Sequence, residues 1–208
     1  MKRALPLVLA GVLLAGCAST GEPDQAEREH LRAAPPAGWI PGVATDTATL
    51  RMSEFVRPDV TESGWQEKIT FERLSARPVA DAREFVEVVR EDLVASCPEG
   101  QLFNTYAGME NGFPVEVALM TCPKSTVTQM GQLTMLKVIQ GNDALYTITR
   151  ARRMAPFDEP GADRSLPREA IAEWSADLSA MSVCDPRSPE AHPCGSSVMK
   201  KRSPRGNR

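Results

Sequence analysis

Histidine is nearly missing from this chain: there are two in 208 residues, His30 and His192. Proton transfer near neutral pH most often uses an imidazole, so histidine-based catalysis has only these two positions. His30 falls in a polar leader and His192 in a proline-rich loop, where a pairing with Cys194 as nucleophile fails once that sulfur is bridged. Metal-ligand spacings are missing too, with no His-Glu-x-x-His, no Cys-x-x-Cys and no Asp-rich calcium loop. Cys97, Cys122 and Met120 offer soft sulfur of the kind copper prefers, but an even number of cysteines favours disulfides. The glycines are scattered at turns, and neither a phosphate-cradling Gly-rich loop nor a Gly-x-Ser-x-Gly elbow occurs. No catalytic residue, metal ligand or cofactor is assigned on this reading, and the chain is not expected to be an enzyme.

Two further shortages narrow the field. The first apolar run, Ala4 to Gly16, has 13 residues with Pro6 inside it, short of the roughly 20 that a transmembrane helix needs. Positive charge is scarce in the body of the chain. The formal charge is −3, and it includes Lys2, Arg3 and five basic residues after Met199, so the remainder is more acidic still. Such a surface argues against nucleic acid as a partner, because affinity there rests on neutralising phosphates.

What is present begins at the N-terminus. Lys2 and Arg3 ahead of the short apolar run make the layout of a secretory signal peptide over residues 1–16. Leu14-Ala15-Gly16-Cys17 follows, and this tetrapeptide resembles the lipobox of bacterial lipoproteins. The resemblance implies cleavage before Cys17, a diacylglycerol on its thiol and three acyl chains on the mature protein, more than the two signals that stable anchoring requires. Ala18 is not the Asp that would argue for inner-membrane retention. The implied address is therefore the cell envelope, at the outer membrane facing the periplasm, and the implied partners are the membrane and an unidentified envelope protein or component.

Apart from Cys17 there are four cysteines, Cys97, Cys122, Cys184 and Cys194, an even number that favours bridges in an exported protein. Three pairings are possible. Cys97 with Cys122 and Cys184 with Cys194 is favoured, because each pair is near in sequence and stands at the ends of predicted elements. The chain-entropy argument assigns roughly 2–3 kcal/mol to each.

Residues 17–38 are polar and then Ala/Pro-rich, and read as a lipidated tether with too little apolar content to pack. A single domain is expected over 39–195. Thr49 to Val56 and Lys68 to Leu74 read as strands. Ala82, Phe85, Val86, Val89, Leu93 and Cys97 form one apolar helical stripe, with Asp81 and Glu84 spaced as a capping box. After Pro98 the period changes to two, giving a hairpin around Asn111-Gly112 and a second around Gly141-Asn142-Asp143. A Pro/Gly/Asp linker runs from Phe157 to Ser165, and Ile171, Trp174, Leu178 and Met181 form a second helical stripe after Pro167. The order ββα-ββββ-α predicts an α+β domain, a mostly antiparallel sheet covered by two helices. In that order the chain is somewhat similar to the PsbP/DcrB-like exported domains over residues 39–184.

Trp39, Trp65 and Trp174 read as core or rim packing. Lys200, Lys201, Arg202, Arg205 and Arg208 concentrate charge in a basic tail, 196–208, that is a candidate contact for anionic partners and equally a loose solubilising end. The leading functional expectation is a non-enzymatic envelope lipoprotein that binds a partner or assists assembly. Two others stand beside it. One is a carrier of a small apolar ligand held near Phe85, Val89, Leu93 and Val117, and the other a carboxylate-dependent envelope hydrolase. Replacing Cys17 with Ser is expected to abolish fatty-acid labelling and move the protein from the membrane to the soluble fraction. Label and membrane association that both persist would remove the anchor.

Overall fold

Two periodicities in the sequence become two kinds of layer. The structure, a computed structural model, describes residues 28–58, 64–75, 78–157 and 168–195. Its elements run β1 (His30–Arg32), β2 (Ile40–Asp46), β3 (Leu50–Val56), β4 (Glu67–Leu74), α1 (Ala82–Ser96), β5 (Gln101–Glu110), β6 (Phe113–Cys122), β7 (Gly131–Gln140), β8 (Leu145–Met154), α2 (Arg168–Ala180) and β9 (Ser182–Cys184). Seven strands form one antiparallel sheet in the order β2-β3-β4-β8-β7-β6-β5, and β1 pairs with β9 separately. The class is α+β as expected, with three strands added to the predicted order.

Strand β7 shows why the sheet is covered on both sides. Successive side chains of a strand face opposite ways. Leu133, Met135 and Ile139 pack with Trp174 and Leu178 of α2, whereas Leu136 and Val138 pack with Ala82 and Val86 of α1. The helix α1 begins where Asp81, in an extended conformation, accepts hydrogen bonds from the backbone N–H of Arg83 (2.8 Å) and Glu84 (3.2 Å). Helix α2 has no basic residue in its last turn. Lys137 of β7 supplies one from the sheet: its buried ammonium donates to the carbonyls of Leu178 (2.9 Å) and Met181 (2.8 Å) and to Glu110. A cation there satisfies orphan carbonyls and complements the helix dipole.

A second buried cation joins α2 to the sheet. Arg150 of β8 donates to Glu67 of β4 (3.0 Å) and to Glu173 (2.7 Å) and Asp177 of α2. The rings of Trp39 and Trp174 each lie 5.3 Å from its guanidinium carbon. Glu67 also accepts from Trp174 Nε1 (2.9 Å), Arg152 (3.0 Å) and Arg57 (3.2 Å). Trp39 and Trp174 therefore pack as expected, around a charge.

The disulfides are Cys97–Cys122, joining the end of α1 to the end of β6, and Cys184–Cys194, with Cα atoms 5.8 Å and 5.1 Å apart. Of the three possible pairings this is the favoured one. The tether expected over 17–38 requires correction from residue 28 onward. The carboxylate of Glu29 accepts from the backbone N–H of Asn142 (2.6 Å) and Asp143 (3.0 Å), and the Tyr146 hydroxyl donates to the Glu29 carbonyl (3.0 Å). A Cβ at Gly141 would collide with that carboxylate, so glycine is what admits the strap to the turn. The three-residue β1 then finds its partner far along the chain, which local patterning does not reveal.

Two other elements were hidden from the sequence. No strand is expected ahead of Thr49, but Ile40–Asp46 forms β2, an edge strand with a bulge between Pro41 and Ala44, where proline is tolerated. Met181, assigned to the second helical stripe, lies beyond the end of α2 and leads into β9. The signal segment 1–16, residues 17–27, the linker after Phe157 with Pro167, and the tail 196–208 lie outside the described residues. Arg150→Ala is expected to lower stability by about 3 kcal/mol, because it removes the cation that Glu67, Glu173 and Asp177 share and leaves buried Glu67 to Arg152 and Arg57 alone. Urea unfolding measures this, and a loss under about 1 kcal/mol would show that the cluster does not bind the layers together.

Candidate functional site

The expected site residues divide into three groups. Cys17 and the cations Lys200, Lys201, Arg202, Arg205 and Arg208 lie outside the described residues. Cys97 and Cys122 are bonded to each other, so neither offers copper a thiolate beside Met120. His192 stacks on Phe113 with ring centroids 3.9 Å apart, and its Nδ1 stands 3.0 Å from the Asn111 carbonyl. A carbonyl only accepts, so that nitrogen carries the proton. His30, placed by its sequence in a tether, stands instead beside the other bridge, with Nε2 3.4 Å from Cys184 Sγ. Among the described residues, His30, Cys184 and Cys194 form a group whose possible ligand atoms lie within 4.8 Å of one another.

The apolar-ligand reading is corrected by the strand alternation. Phe85, Val89 and Leu93 pack against the sheet from the α1 side, while Val117 belongs to the cluster beneath α2 on the opposite face. They do not line one cavity. Two grooves of about 510 Å³ and about 620 Å³ are present, the first at the start of α1 beside Met109 and Glu116, the second along β1 and the end of α2. Both are surface features with mixed linings.

Convergent carboxylates do occur, but their chemistry is settled by what they converge on. Glu67, Glu173 and Asp177 all accept from Arg150. Burial pushes the Glu67 carboxyl upward, and hydrogen bonding from Arg152 with the charges of Arg152 and Arg150 overcomes it, leaving Glu67 below the ordinary carboxylate range. A general acid must hold its proton near the working pH. Glu67 is instead an anion at neutral pH that positions Arg150 and Trp174.

The feature that does offer something to a partner is strand β5. It is the last strand of the seven-stranded sheet, and among the described residues no strand pairs with its outer edge. Exposed edges are normally blunted by Lys, other charges or Pro. Residues 101–109 contain none of these. Arg90 donates to the Leu102 carbonyl (3.2 Å) and the Tyr106 hydroxyl to the Met109 carbonyl (3.4 Å), which covers the two ends of the edge and leaves the stretch between them without a strand partner among the described residues. Register with β6 places Phe103 opposite Leu119 and Tyr106 opposite Val117, on the α2 side of the sheet. Their exposures are 46 % for Phe103, 43 % for Tyr106 and 60 % for Met109 on the other face. The partly buried Val117 and Leu119 continue the apolar surface inward. Both edge strands are bulged, but the opposite edge, β2, also carries Pro41 and Asp46, so the two edges differ in proline and charge.

A bulge between Asn104 and Tyr106 kinks β5, with the Thr105 hydroxyl donating to the Val117 carbonyl (3.1 Å). Beyond it, Tyr106 to Glu110 runs in regular register to the turn at Asn111 and Gly112, both with positive φ (49° and 81°), as a two-residue hairpin requires. The sequence showed the alternation and the Asn-Gly turn. It did not show that β5 would be at the edge, because strand order depends on non-local pairing of β4 with β8.

The depressed Glu67 carboxyl has a pH consequence. A carboxyl whose folded value lies below its unfolded one contributes stability that is complete above the unfolded value, 4.5, and is lost as pH falls through the folded one. Melting temperature is expected to drop from pH 4.5 downward, and less steeply in Glu67→Gln than in the wild type. Identical slopes would show that Glu67 is not a source of the acid sensitivity.

No protein-family model matches the chain, and no curated protein sequence matches it. Among solved structures the chain is similar to LpqN of Mycobacterium tuberculosis, described as involved in cell envelope biogenesis, at 11 % identity and a TM-score of 0.45, over 79 % of this chain and 87 % of that one.

Proposed function

We propose that this chain is a lipid-anchored envelope protein that works by binding an extended segment of another envelope protein along strand β5, and not by catalysing a reaction. The observation that carries the reading is the uncharged, proline-free edge from Phe103 to Met109 with its exposed apolar side chains. Main-chain groups on such an edge supply affinity to an added strand, and alternate side chains supply selectivity. The occupant this edge suits is an extended segment with apolar residues at every second position, which would meet Phe103 and Tyr106 across the strand. The two disulfides and the signal and lipobox pattern at residues 1–17 support an address outside the cytoplasm. The basic residues Lys200, Lys201, Arg202, Arg205 and Arg208 give a second contact to anionic groups, secondary in this reading because clustered positive charge selects for anions in general and not for one partner.

The test is site-specific photocrosslinking in cells. A photoreactive residue at Phe103 or Met109 is expected to capture one discrete protein, and the same residue at Val88, an exposed apolar position on α1 (53 %), is not. Thr105→Pro, which removes a main-chain N–H from the strand, is expected to reduce capture at least tenfold, and Thr105→Val, which loses only the hydroxyl bond to the Val117 carbonyl, is expected to retain it. Capture that is unaffected by Thr105→Pro but lost on ending the chain at Met199 would transfer the interaction to the tail. Absence of capture at β5 in membranes where the protein is abundant would remove the proposal.

A further inference from the structure

The pairing of β1 with β9 sets His30 directly opposite Cys184, two residues separated by 154 positions in the chain. The imidazole is already oriented. Its Nδ1 lies 2.7 Å from the Arg28 carbonyl, which can only accept, so the ring proton sits on Nδ1 and the Nε2 lone pair is directed toward the sulfur of Cys184, 3.4 Å away. A backbone carbonyl fixing one ring nitrogen so that the other can ligate is the usual second shell of a metal-binding histidine. With the bridge closed, neither sulfur is a thiolate and there is nothing for a metal to bind.

We propose that Cys184, Cys194 and His30 are a latent metal site: when a dithiol reductant opens the Cys184–Cys194 bridge, the two thiolates and the His30 imidazole hold one thiophilic d10 cation, Zn(II) or Cu(I). The reductant transfers two electrons and two protons to the disulfide and becomes a cyclic disulfide itself. The cation then displaces both thiol protons to solvent and keeps its oxidation state. Attack falls on Cys194, the more accessible sulfur, and Cys184, fully buried, leaves as the thiolate beside His30. Two soft sulfurs and one imidazole select this class of ion over Mg(II) or Ca(II).

The three ligands stay together without the bridge. Cys184 is held by β-pairing with β1. Cys194 is held from both sides. Asn111 Nδ2 donates to the carbonyls of Pro193 (3.1 Å) and Val183 (2.8 Å), and Arg32 donates to the Gly195 carbonyl (2.9 Å). The Asp185 N–H also donates to the His192 carbonyl (3.0 Å) and closes the loop at its base. Ligand atoms sharing one ion at metal–ligand bonds of about 2.0–2.3 Å stand roughly 3.5–4 Å apart; His30 Nε2 is already 3.4 Å from Cys184 Sγ and all three atoms lie within 4.8 Å, and the two sulfurs, once unbonded, part to that spacing by side-chain rotation. His30 also lines the open groove of about 620 Å³ beside α2, which gives the ion a path from solvent. No sequence pattern announces this site, since one ligand comes from near the start of the domain and two from its end.

The test uses the folded protein under anaerobic conditions, either untreated or reduced with dithiothreitol that is then removed, because a free dithiol would itself bind these ions. It is titrated with Zn(II) against a chromogenic chelator and, separately, with Cu(I) against a competing Cu(I) chelator. Reduced wild-type protein is expected to bind one equivalent of one of these ions more than reduced Cys184→Ser/Cys194→Ser, a comparison that subtracts any binding by Cys97 and Cys122. Oxidised wild type is expected not to bind this equivalent. His30→Ala is expected to weaken it by about tenfold or more. Equal binding by the wild type and the double serine variant, or by wild type and His30→Ala, overturns the proposal. Melting provides a readout that survives a poorly folding variant: the bound ion should raise the melting temperature of the reduced wild type and leave the oxidised protein unchanged. A reduced protein that neither ion stabilises overturns the proposal equally.

Discussion

A buried guanidinium must be answered inside the protein, and in this fold Arg150 is the charge that the α2 side is arranged to answer. Taking a charge out of water is costly unless it is paired and hydrogen-bonded. The answering groups come from different places in the chain: Glu67 from β4, Glu173 and Asp177 from α2, and the rings of Trp39 and Trp174 from either side. Apolar packing alone tolerates sliding and repacking. A cluster of directional partners does not, so the height and rotation of α2 over the sheet are defined by hydrogen bonds while its apolar face supplies the bulk of the burial. Lys137 repeats the device at the C-terminal end of the helix. Two cations that belong to strands thus do for α2 what its own sequence does not.

The N-terminal strap depends on the same economy of polar groups. Glu29 has its carboxylate on two backbone N–H groups of the β7–β8 turn and its carbonyl on Tyr146, so a short polar stretch is bound as firmly as a strand. Burial is the leading influence that holds the Tyr146 hydroxyl well above its ordinary range, which keeps it a neutral donor to that strap. Once the strap is placed, His30 has no choice of neighbour.

How much of this could be read from the sequence divides by range. The helix over Ala82 to Ser96, its Asp81 cap and the two hairpins were legible because their signals lie within a few residues. The disulfide pairing was legible because each partner is near in sequence. The strands β1, β2 and β9 were not, since two of them have three residues each and the other begins with Ile40-Pro41-Gly42. Nor were the pairs that define the sites. Arg150 and Glu67 are 83 residues apart, and nothing in either neighbourhood distinguishes a buried arginine from a solvated one. His30 looked like part of a tether for the same reason. The edge position of β5 followed from the joining of β4 to β8, a choice that strand periodicity alone leaves undetermined.

The short ribbon of β1 and β9 also decides where the chain enters and leaves. Arg32 reaches the Gly195 carbonyl, so the incoming and outgoing segments part company at one pole of the domain. Cys17 precedes Arg28 by only eleven positions, a span of at most about 40 Å when fully extended. Lys200 follows Gly195 by five positions. A lipid on Cys17 would therefore bring the cationic end within reach of the headgroups that receive the acyl chains. Grease and charge would act as two moorings at a single berth, and a domain held that way turns about its point of attachment far less freely than one on a single line.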